Sequence, residues 1–261
     1  MALVRCDFFS EALGVGTSMT VILPQQTSAQ IDLPGRSGGG EPPVLYLLHG
    51  LSDDDTAWTR HTSIERYVAP LGLAVVMPQA GRSFYTDEEH GNRYWTYLSE
   101  ELPAVCRSFF RLSDRRSDTF VAGLSMGGYG AVKWALRDPG RFSAAVSLSG
   151  ALDIGSRVRN ETRPIDPRVW HTVFGDRSVD GSSDDLLSLL DKPADVPLPA
   201  FYVSCGTEDH LYEDNLRFAE AARKRNVPLT VDFGPGEHDW TYWDVKIQDV
   251  LAWLPLGDAA R

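Results

Sequence analysis

Apolar runs and shorter alternating segments divide the chain into a regular series of predicted strands. Six short runs are dominated by apolar residues, which is typical of strands buried on both faces of a parallel sheet. They cover residues 44–48, 73–77, 120–124, 144–150, 200–206 and 229–233. Two earlier segments, 3–10 and 17–23, alternate between polar and apolar positions and predict an antiparallel pair at a sheet edge.

Helical spacing of apolar residues recurs between and after these runs. It is found at residues 97–111, 126–136, 211–226 and 242–253. Strands that alternate with helices favour a largely parallel sheet covered by helices on both faces. The pattern therefore predicts an α/β fold with about eight strands, and the length of 261 residues suits a single domain spanning residues 1–261.

The alternation of strands and helices is lost over residues 151–198. Short amphipathic pieces near 167–174 and 184–190 lie there among prolines, glycines and charged residues. The apolar content is too low for a separate hydrophobic core. We therefore expect a small, cap-like helical insertion that covers a site on the main domain.

A serine lies where a predicted strand meets a predicted helix. Ser125 is the centre of a G-x-S-x-G motif, which presents a nucleophilic serine on a sharp strand-to-helix turn. Gly123 and Gly127 fit that turn because neighbouring chain leaves no room for a Cβ atom. The alternative is a glycine-rich turn whose serine only caps the helix.

Two backbone N–H groups are candidate donors to an oxyanion formed at this serine. Met126 follows Ser125 at the helix N-terminus, where N–H groups favour negative charge. Leu51 follows the His49-Gly50 pair after the strand 44–48, where α/β hydrolases place a second donor. We expect His49 itself to be a structural histidine bonded to nearby backbone.

A serine nucleophile needs a histidine base and an acid that orients it. The chain has six histidines: His49, His61, His90, His171, His210 and His238. Only His210 and His238 follow Ser125 and lie just beyond a strand, and His210 adjoins Asp209 in sequence. We therefore predict His238 as the base and Asp209 as the acid, with Glu208 as the rival acid.

A long loop of unusual content follows the strand 73–77. Residues 79–95 carry Phe84, Tyr85 and Trp95, and loops beyond strand ends form ligand pockets in α/β folds. These aromatic residues either line a pocket or pack the loop onto the domain. Tyr85 and Trp95, together with Trp58, are the substrate-binding candidates.

Composition narrows the range of partners. Hydrophobic residues make up 43% of the chain and charged residues 23%, as in a globular protein, and the net charge is −11. Such a charge repels phosphate backbones and anionic membrane surfaces, so we expect neither nucleic acid nor membrane as a partner. The chemistry of the predicted triad, rather than composition, makes a small-molecule acyl ester or thioester the expected partner.

The cysteines and the N-terminal segment indicate a compartment. Cys6, Cys106 and Cys205 are an odd number without paired spacing, which favours reduced thiols. The first residues lack the basic and long apolar segments of a signal peptide. A cytoplasmic location is expected. The chemistry of the predicted triad requires no metal and no organic cofactor.

Several of these motifs together resemble a known family across nearly the whole chain. The sequence resembles the α/β-hydrolase esterases that include tributyrin esterases, S-formylglutathione hydrolases of the esterase D type and, more distantly, the mycolyltransferase antigen 85 proteins. The matching segments are LYLLHGLSD (45–53), WTR (58–60), AVVMP (74–78), SFYTD (83–87), GLSMGGYGA (123–131), GTED (206–209) and HDW (238–240).

The resemblance implies an activity and leaves alternatives. Its tributyrin-esterase branch implies a serine carboxylesterase that hydrolyses short-chain acyl esters of the acetyl or butyryl type. The first alternative is an S-formylglutathione hydrolase, a thioesterase that would use the same residues. The second is a catalytically silent α/β-hydrolase fold that only binds ligands. Relatives are often oligomeric, which adds a homo-oligomer to the expectations.

Overall fold

A computed structural model of the chain describes residues 1–31, 33–160, 166–193 and 195–256. Its centre is one eight-stranded sheet. The strands are β1 (Ala2–Ser10), β2 (Val15–Leu23), β3 (Val44–Leu48), β4 (Ala74–Pro78), β5 (Thr119–Leu124), β6 (Ala144–Leu148), β7 (Ala200–Gly206) and β8 (Leu229–Gly234). All eight lie where apolar runs or alternating segments predict strands.

The strand order is β1-β2-β4-β3-β5-β6-β7-β8. β1 and β2 form an antiparallel pair at one edge, and β2 joins the rest of the sheet antiparallel to β4. Every pairing from β4 to β8 is parallel. The parallel strands therefore have their carboxyl ends at one edge of the sheet, and loops from several strands meet there.

The described residues form ten α-helices. They are α1 (Ala57–His61), α2 (Ile64–Val68), α3 (Tyr94–Thr96), α4 (Leu102–Phe109), α5 (Met126–Arg137), α6 (Ile154–Arg159), α7 (Arg168–Phe174), α8 (Leu186–Leu189), α9 (Tyr212–Lys224) and α10 (Trp240–Trp253). A π-helical turn, Tyr97–Glu101, joins α3 to α4, and short 3₁₀ helices span Ala69–Leu71 and Arg116–Asp118.

The core forms two apolar layers because side chains alternate along each strand. Val44, Tyr46 and Leu48 of β3 point into the layer that α4, α5 and α9 cover, whereas Leu45 and Leu47 point into the layer under α2 and α10. Both layers are buried, as the apolar composition of the central strands predicts. The sheet carries helices on both faces, which confirms the predicted fold class.

The segment after β6 lies over the carboxyl edge of the sheet. It contributes α6, α7 and α8, and it is joined to the loop 79–95 by backbone hydrogen bonds from Glu89 N–H to Val173 and from His90 N–H to Thr172, both 3.0 Å long. The assignment of residues 1–261 to one domain with a cap-like insertion at 151–198 stays a prediction.

Two further properties bear on the expected setting. Cys6, Cys106 and Cys205 are free thiols, and the last two are buried. None of the helices formed by the described residues has both the length and the apolar character needed to cross a membrane.

Candidate active site

Ser125 occupies the sharp turn between β5 and α5. Its φ of 52° is in the left-handed region, which a residue with a side chain rarely adopts. A Cβ on Gly123 would lie 2.3 Å from the backbone of Gly127, and one on Gly127 would lie 2.5 Å from the carbonyl oxygen of Leu48. Glycine is therefore required at both positions, and the turn presents the serine at the carboxyl edge of the sheet.

Three side chains from three different strand ends form a continuous hydrogen-bonded series. Ser125 Oγ lies 3.0 Å from Nε2 of His238, which follows β8. Nδ1 of His238 lies 2.8 Å from Oδ2 of Asp209, which follows β7. Since a carboxylate only accepts, Nδ1 carries the proton of the neutral ring, and Nε2 is left as an acceptor for the serine hydroxyl.

The carboxylate of Asp209 is buried and also accepts a hydrogen bond from the backbone. Its Oδ1 accepts a hydrogen bond of 2.8 Å from the N–H of Leu211. Burial alone raises the pKa of Asp209, but the hydrogen bond and charge interaction with His238 and the bond from Leu211 outweigh it, so the pKa lies below its usual value. Asp209 is therefore ionised at neutral pH and orients the imidazole.

The rival residues lie beside this series. Glu208 is exposed, and its Oε2 accepts a hydrogen bond of 2.7 Å from the N–H of Gly236. His210 is exposed, packs its ring at 4.5 Å edge to face against that of His238, and has Nδ1 3.4 Å from Oδ1 of Asp209. The structure thus brings Asp209 and His238, rather than Glu208 or His210, into line with Ser125.

The two predicted oxyanion donors lie next to the serine. A Cβ built on Gly50 would be 3.8 Å from Cβ of Ser125, so the loop that continues into Leu51 passes directly beside the hydroxyl. In the described part of the chain, neither the Leu51 N–H nor the Met126 N–H has a hydrogen-bond acceptor. Leu51 and Met126 both line the cavity in front of Ser125, so their N–H groups stay candidates for donors to a substrate oxygen.

His49 supports that loop from within the core. Its Nε2 accepts the N–H of Ala80 at 3.0 Å, so Nδ1 carries the proton and donates to the carbonyl of Gly50 at 2.7 Å. Burial lowers the pKa of His49, which keeps the ring neutral. Its position agrees with the expected structural role.

A cavity of about 440 Å³ opens in front of Ser125. One part of its wall is apolar, and the aromatic residues in it come from the loop 79–95, the segment after β6 and the last helix. The apolar residues are Leu51, Phe84, Leu124, Met126, Ala151, Trp170, Leu211, Trp240 and Trp243. The polar part of the wall comprises Ser52, Asp53, Arg157, His210 and Asp239 together with Ser125 and His238.

The predicted substrate-binding residues Trp58, Tyr85 and Trp95 are not among the residues that line this cavity. The indole of Trp58 is buried and donates to the Leu48 carbonyl at 3.2 Å. Tyr85 is buried with its hydroxyl on the His49 carbonyl at 2.9 Å, so it supports the oxyanion loop from behind. Trp95 packs under the guanidinium of Arg137, 3.8 Å from the ring centre. Each of the three rings therefore contacts other parts of the domain instead of lining the cavity.

Sequence reasoning missed most of the aromatic wall. Trp240 and Trp243 lie in the first turn of α10, directly after His238, and that proximity in sequence was a usable signal. Trp170 comes from α7 in the segment after β6, where nothing in the sequence indicates which side chain turns inward. Phe84, for which the sequence allows either a pocket role or a packing role, lines the cavity.

One group of described residues could hold a metal ion. It consists of Asp209, His210 and His238, whose ligand atoms all lie within 4.8 Å of one another. The acidic triplet 53–55 is not part of such a group, and Asp55 is buried and accepts hydrogen bonds from Ser18 and Thr20.

Three features define the class of the protein. They are the strand order, the serine on its strand-to-helix turn and the histidine hydrogen-bonded to that serine. The protein is a serine hydrolase of the α/β-hydrolase fold. The family model described as "Putative esterase" matches residues 20–254. The chain therefore belongs to this esterase family.

Individual relatives agree with that assignment. An acetyl esterase of Caldicellulosiruptor saccharolyticus is 29% identical over 269 aligned residues, which cover 97% of this chain and 98% of the relative. The fluorophosphonate-binding serine hydrolase FphF of Staphylococcus aureus is 36% identical, with a TM-score of 0.87 over 97% of this chain and 98% of that one. The S-formylglutathione hydrolase FrmB of the same organism is also 36% identical, with a TM-score of 0.85 and the same coverage.

Proposed function

We propose that this protein is a carboxylesterase that hydrolyses esters of short acyl groups through Ser125, His238 and Asp209. The observation that carries the proposal is the unbroken hydrogen-bonded series from Asp209 through His238 to Ser125, which ends at a largely apolar cavity. This series supports the roles of Ser125 as nucleophile, His238 as base and Asp209 as the group that orients the base.

Acylation begins with proton transfer from the serine. Nε2 of His238 accepts the proton while Ser125 Oγ bonds to the acyl carbon, and the carbonyl electron pair moves onto oxygen. The N–H groups of Leu51 and Met126 donate to that oxyanion, and each is worth on the order of 3 kcal/mol of barrier. The bond to the leaving oxygen then breaks, and that oxygen takes the proton from His238, which leaves an ester on Ser125.

Deacylation repeats these steps with water. His238 accepts a proton from the water molecule, whose oxygen attacks the serine ester and forms a second oxyanion between the same two N–H groups. The bond to Ser125 Oγ breaks, the serine regains its proton from His238, and the carboxylic acid leaves. Asp209 stays ionised throughout and stabilises the imidazolium that forms in each half-reaction.

The cavity supports a small acyl group. Its volume of about 440 Å³ is at the lower end of the range for small-molecule sites, and it must hold the leaving group as well as the acyl chain. Phe84 and Trp170, with ring centres 5.0 Å apart, form one compact apolar side of it. The acetyl esterase among the relatives favours the same substrate class.

A thioester substrate is the second candidate. The 36% identity to an S-formylglutathione hydrolase over 97% of the chain favours S-formylglutathione, whose formyl group is smaller still. Both reactions transfer an acyl group to Ser125, so the same groups would perform them. The thiol of a thioester leaves more readily than the alcohol of an ester.

Steady-state hydrolysis tests both candidates. We expect the wild type to turn over p-nitrophenyl acetate and butyrate faster than the octanoate, and Ser125→Ala to lose at least about a thousandfold in kcat. S-formylglutathione measured beside them ranks the thioester against the esters by kcat/KM. A fluorophosphonate probe should label the wild type and leave Ser125→Ala unlabelled.

The result that contradicts the proposal is equally specific. Rates that are the same in the wild type and in Ser125→Ala would show that another group performs the hydrolysis. A wild type that neither hydrolyses any of the four substrates nor reacts with the probe would favour a fold that binds ligands without catalysis.

A further inference from the structure

The carboxylate of Asp209 faces two imidazoles rather than one. Oδ2 lies 2.8 Å from Nδ1 of His238, and Oδ1 lies 3.4 Å from Nδ1 of His210. The two rings pack edge to face with their centres 4.5 Å apart. The proposed reaction uses only the first imidazole, so it does not explain the second.

Two imidazole nitrogens and one carboxylate oxygen form a ligand set that suits zinc. Zinc binds histidine nitrogen at about 2.0–2.1 Å and carboxylate oxygen at about 2.0–2.2 Å, in a tetrahedral arrangement that puts ligand atoms about 3.3 Å apart. The three ligand atoms here lie within 4.8 Å of one another. Small side-chain rotations would therefore bring them to a common ion, with water in the fourth position.

Two of the three residues, His210 and His238, line the cavity. The side chain of His210 is 42% exposed and that of His238 is 22% exposed, while that of Asp209 is fully buried behind them. Two carboxylates in the cavity wall, Asp53 and Asp239, favour a cation there. The guanidinium of Arg157 in the same wall opposes it, but that group is paired with Asp214.

We propose that Asp209, His210 and His238 form a reversible site for zinc or a similar divalent transition-metal ion, and that occupancy of this site inhibits the esterase. The binding part stands on the three side chains alone. The inhibition part rests on the proposed function, because it assigns the role of base to His238.

Inhibition follows from the position of one proton. In the resting series Nδ1 of His238 carries the proton and Nε2 accepts the hydrogen bond from Ser125. A metal ion that takes the Nδ1 lone pair displaces that proton, and the neutral ring then carries its proton on Nε2. Nε2 becomes a donor and can no longer remove the proton from Ser125. Nothing is oxidised or reduced, and a chelator should restore activity.

Calorimetric titration with zinc chloride tests the binding part without any hydrolysis. The titrated protein is Ser125→Ala, alone and combined with His210→Phe, which keeps an aromatic ring against His238 but removes a ligand nitrogen. We expect one zinc ion per chain, and an affinity at least about tenfold weaker with His210→Phe, since one of three ligands is lost.

A second close pair of histidines supplies the matched control. The rings of His90 and His171 are 4.7 Å apart, and His171→Phe removes one of them. We expect His171→Phe to leave the zinc affinity of Ser125→Ala unchanged. An affinity that survives His210→Phe, or falls equally with His171→Phe, would overturn the site.

The proposed inhibition is tested by the rate of p-nitrophenyl acetate hydrolysis with and without zinc. The rate of each protein with zinc is compared with the rate of the same protein without metal. We expect zinc to inhibit the wild type, EDTA to restore the rate, and His210→Phe to need at least about ten times more zinc for half-inhibition. Zinc that binds through His210 but leaves the rate unchanged would overturn inhibition. If the metal-free wild type hydrolyses nothing, the proposed function has failed, and the calorimetric titration still decides the site.

Discussion

The hydroxyl of Tyr85 donates a hydrogen bond of 2.9 Å to the carbonyl oxygen of His49. The ring of the same residue lies against α5, where a Cβ on Gly130 would come within 2.5 Å of it. One buried side chain therefore connects the helix that begins after Ser125 to the loop that carries the proposed donor Leu51. Tyr85 is a positioning residue in this arrangement, although it does not border the cavity.

Tyr85→Phe should lower kcat with little change in KM. The variant keeps the ring in place but removes the hydrogen bond from its hydroxyl to the His49 carbonyl, so the peptide before Gly50 loses a fixed partner and Leu51 N–H is less well aligned with the oxyanion. We expect about a tenfold loss in kcat on p-nitrophenyl acetate, which corresponds to about 1.4 kcal/mol.

Tyr202→Phe is the control for that variant. It removes a tyrosine hydrogen bond of 2.6 Å to Asp232, between β7 and β8 and away from the serine turn. We expect its kcat to stay within about twofold of the wild type. Equal losses in the two variants would mean that Tyr85 contributes to stability in general rather than to the position of Leu51.

Asp209→Asn should be nearly inactive, whereas Glu208→Gln should not. An amide at position 209 can donate to Nδ1 of His238, which favours the tautomer with the proton on Nε2 and removes the base. We expect a loss of about 10³–10⁴ in kcat on p-nitrophenyl acetate. Glu208 is the adjacent acid, and it contacts the Gly236 N–H instead of the histidine, so its variant should lose less than about threefold. The reverse ranking would assign the acid to Glu208.

Trp170→Leu should shift acyl preference toward longer chains. Its ring packs 5.0 Å from that of Phe84 in the cavity wall, and a smaller side chain leaves room for additional methylene groups. Each newly buried methylene contributes about 0.8 kcal/mol, so two raise the octanoate-to-acetate ratio of kcat/KM about fifteenfold. His171→Leu, at the exposed next position of α7, should leave the ratio unchanged. An unchanged ratio in Trp170→Leu would mean that the acyl chain lies elsewhere.

The position of the reacting groups was predictable because it depends on strand ends. Ser125, Asp209 and His238 each follow an apolar run, and parallel strands bring their carboxyl ends to one edge of a sheet. Periodicity and turn chemistry are local properties, so the chain order of strands and turns was enough to group these three residues.

The direction of loop side chains was not predictable in the same way. Phe84 and Tyr85 have consecutive positive φ angles of 50° and 51°, and this turn sends one ring into the cavity and the other into the core. Neither residue type favours that conformation, so it is imposed by the surrounding structure. Trp170 depends in the same way on how the segment after β6 packs on the domain.

The same turn is anchored by a buried charge. Lys133 of α5 is fully buried, and its Nζ lies 2.7 Å from Thr86 Oγ1 and 3.0 Å from Oδ1 of Asp184. Burial lowers the pKa of Lys133 to about 8, because one carboxylate offsets only part of the cost of removing the ammonium from water. Burial alone would raise the pKa of Asp184, but Lys133 and Arg177 together lower it to about 2.

Asp184→Asn should therefore destabilise the protein in a pH-dependent way. A carboxyl whose folded pKa is about 2, against 3.8 when unperturbed, stabilises the folded state above pH 3.8 and loses that contribution as the pH falls through 2. The shift corresponds to about 2 kcal/mol in the free energy of unfolding at pH 7. Urea unfolding of the wild type and the variant should show that gap at pH 7 and a smaller one at pH 3.

The control is Asp180→Asn, which removes an exposed partner of Arg159 and should cost less than about 0.5 kcal/mol at either pH. A gap for Asp184→Asn that is constant from pH 7 to pH 3 would show that its charge does not stabilise the fold.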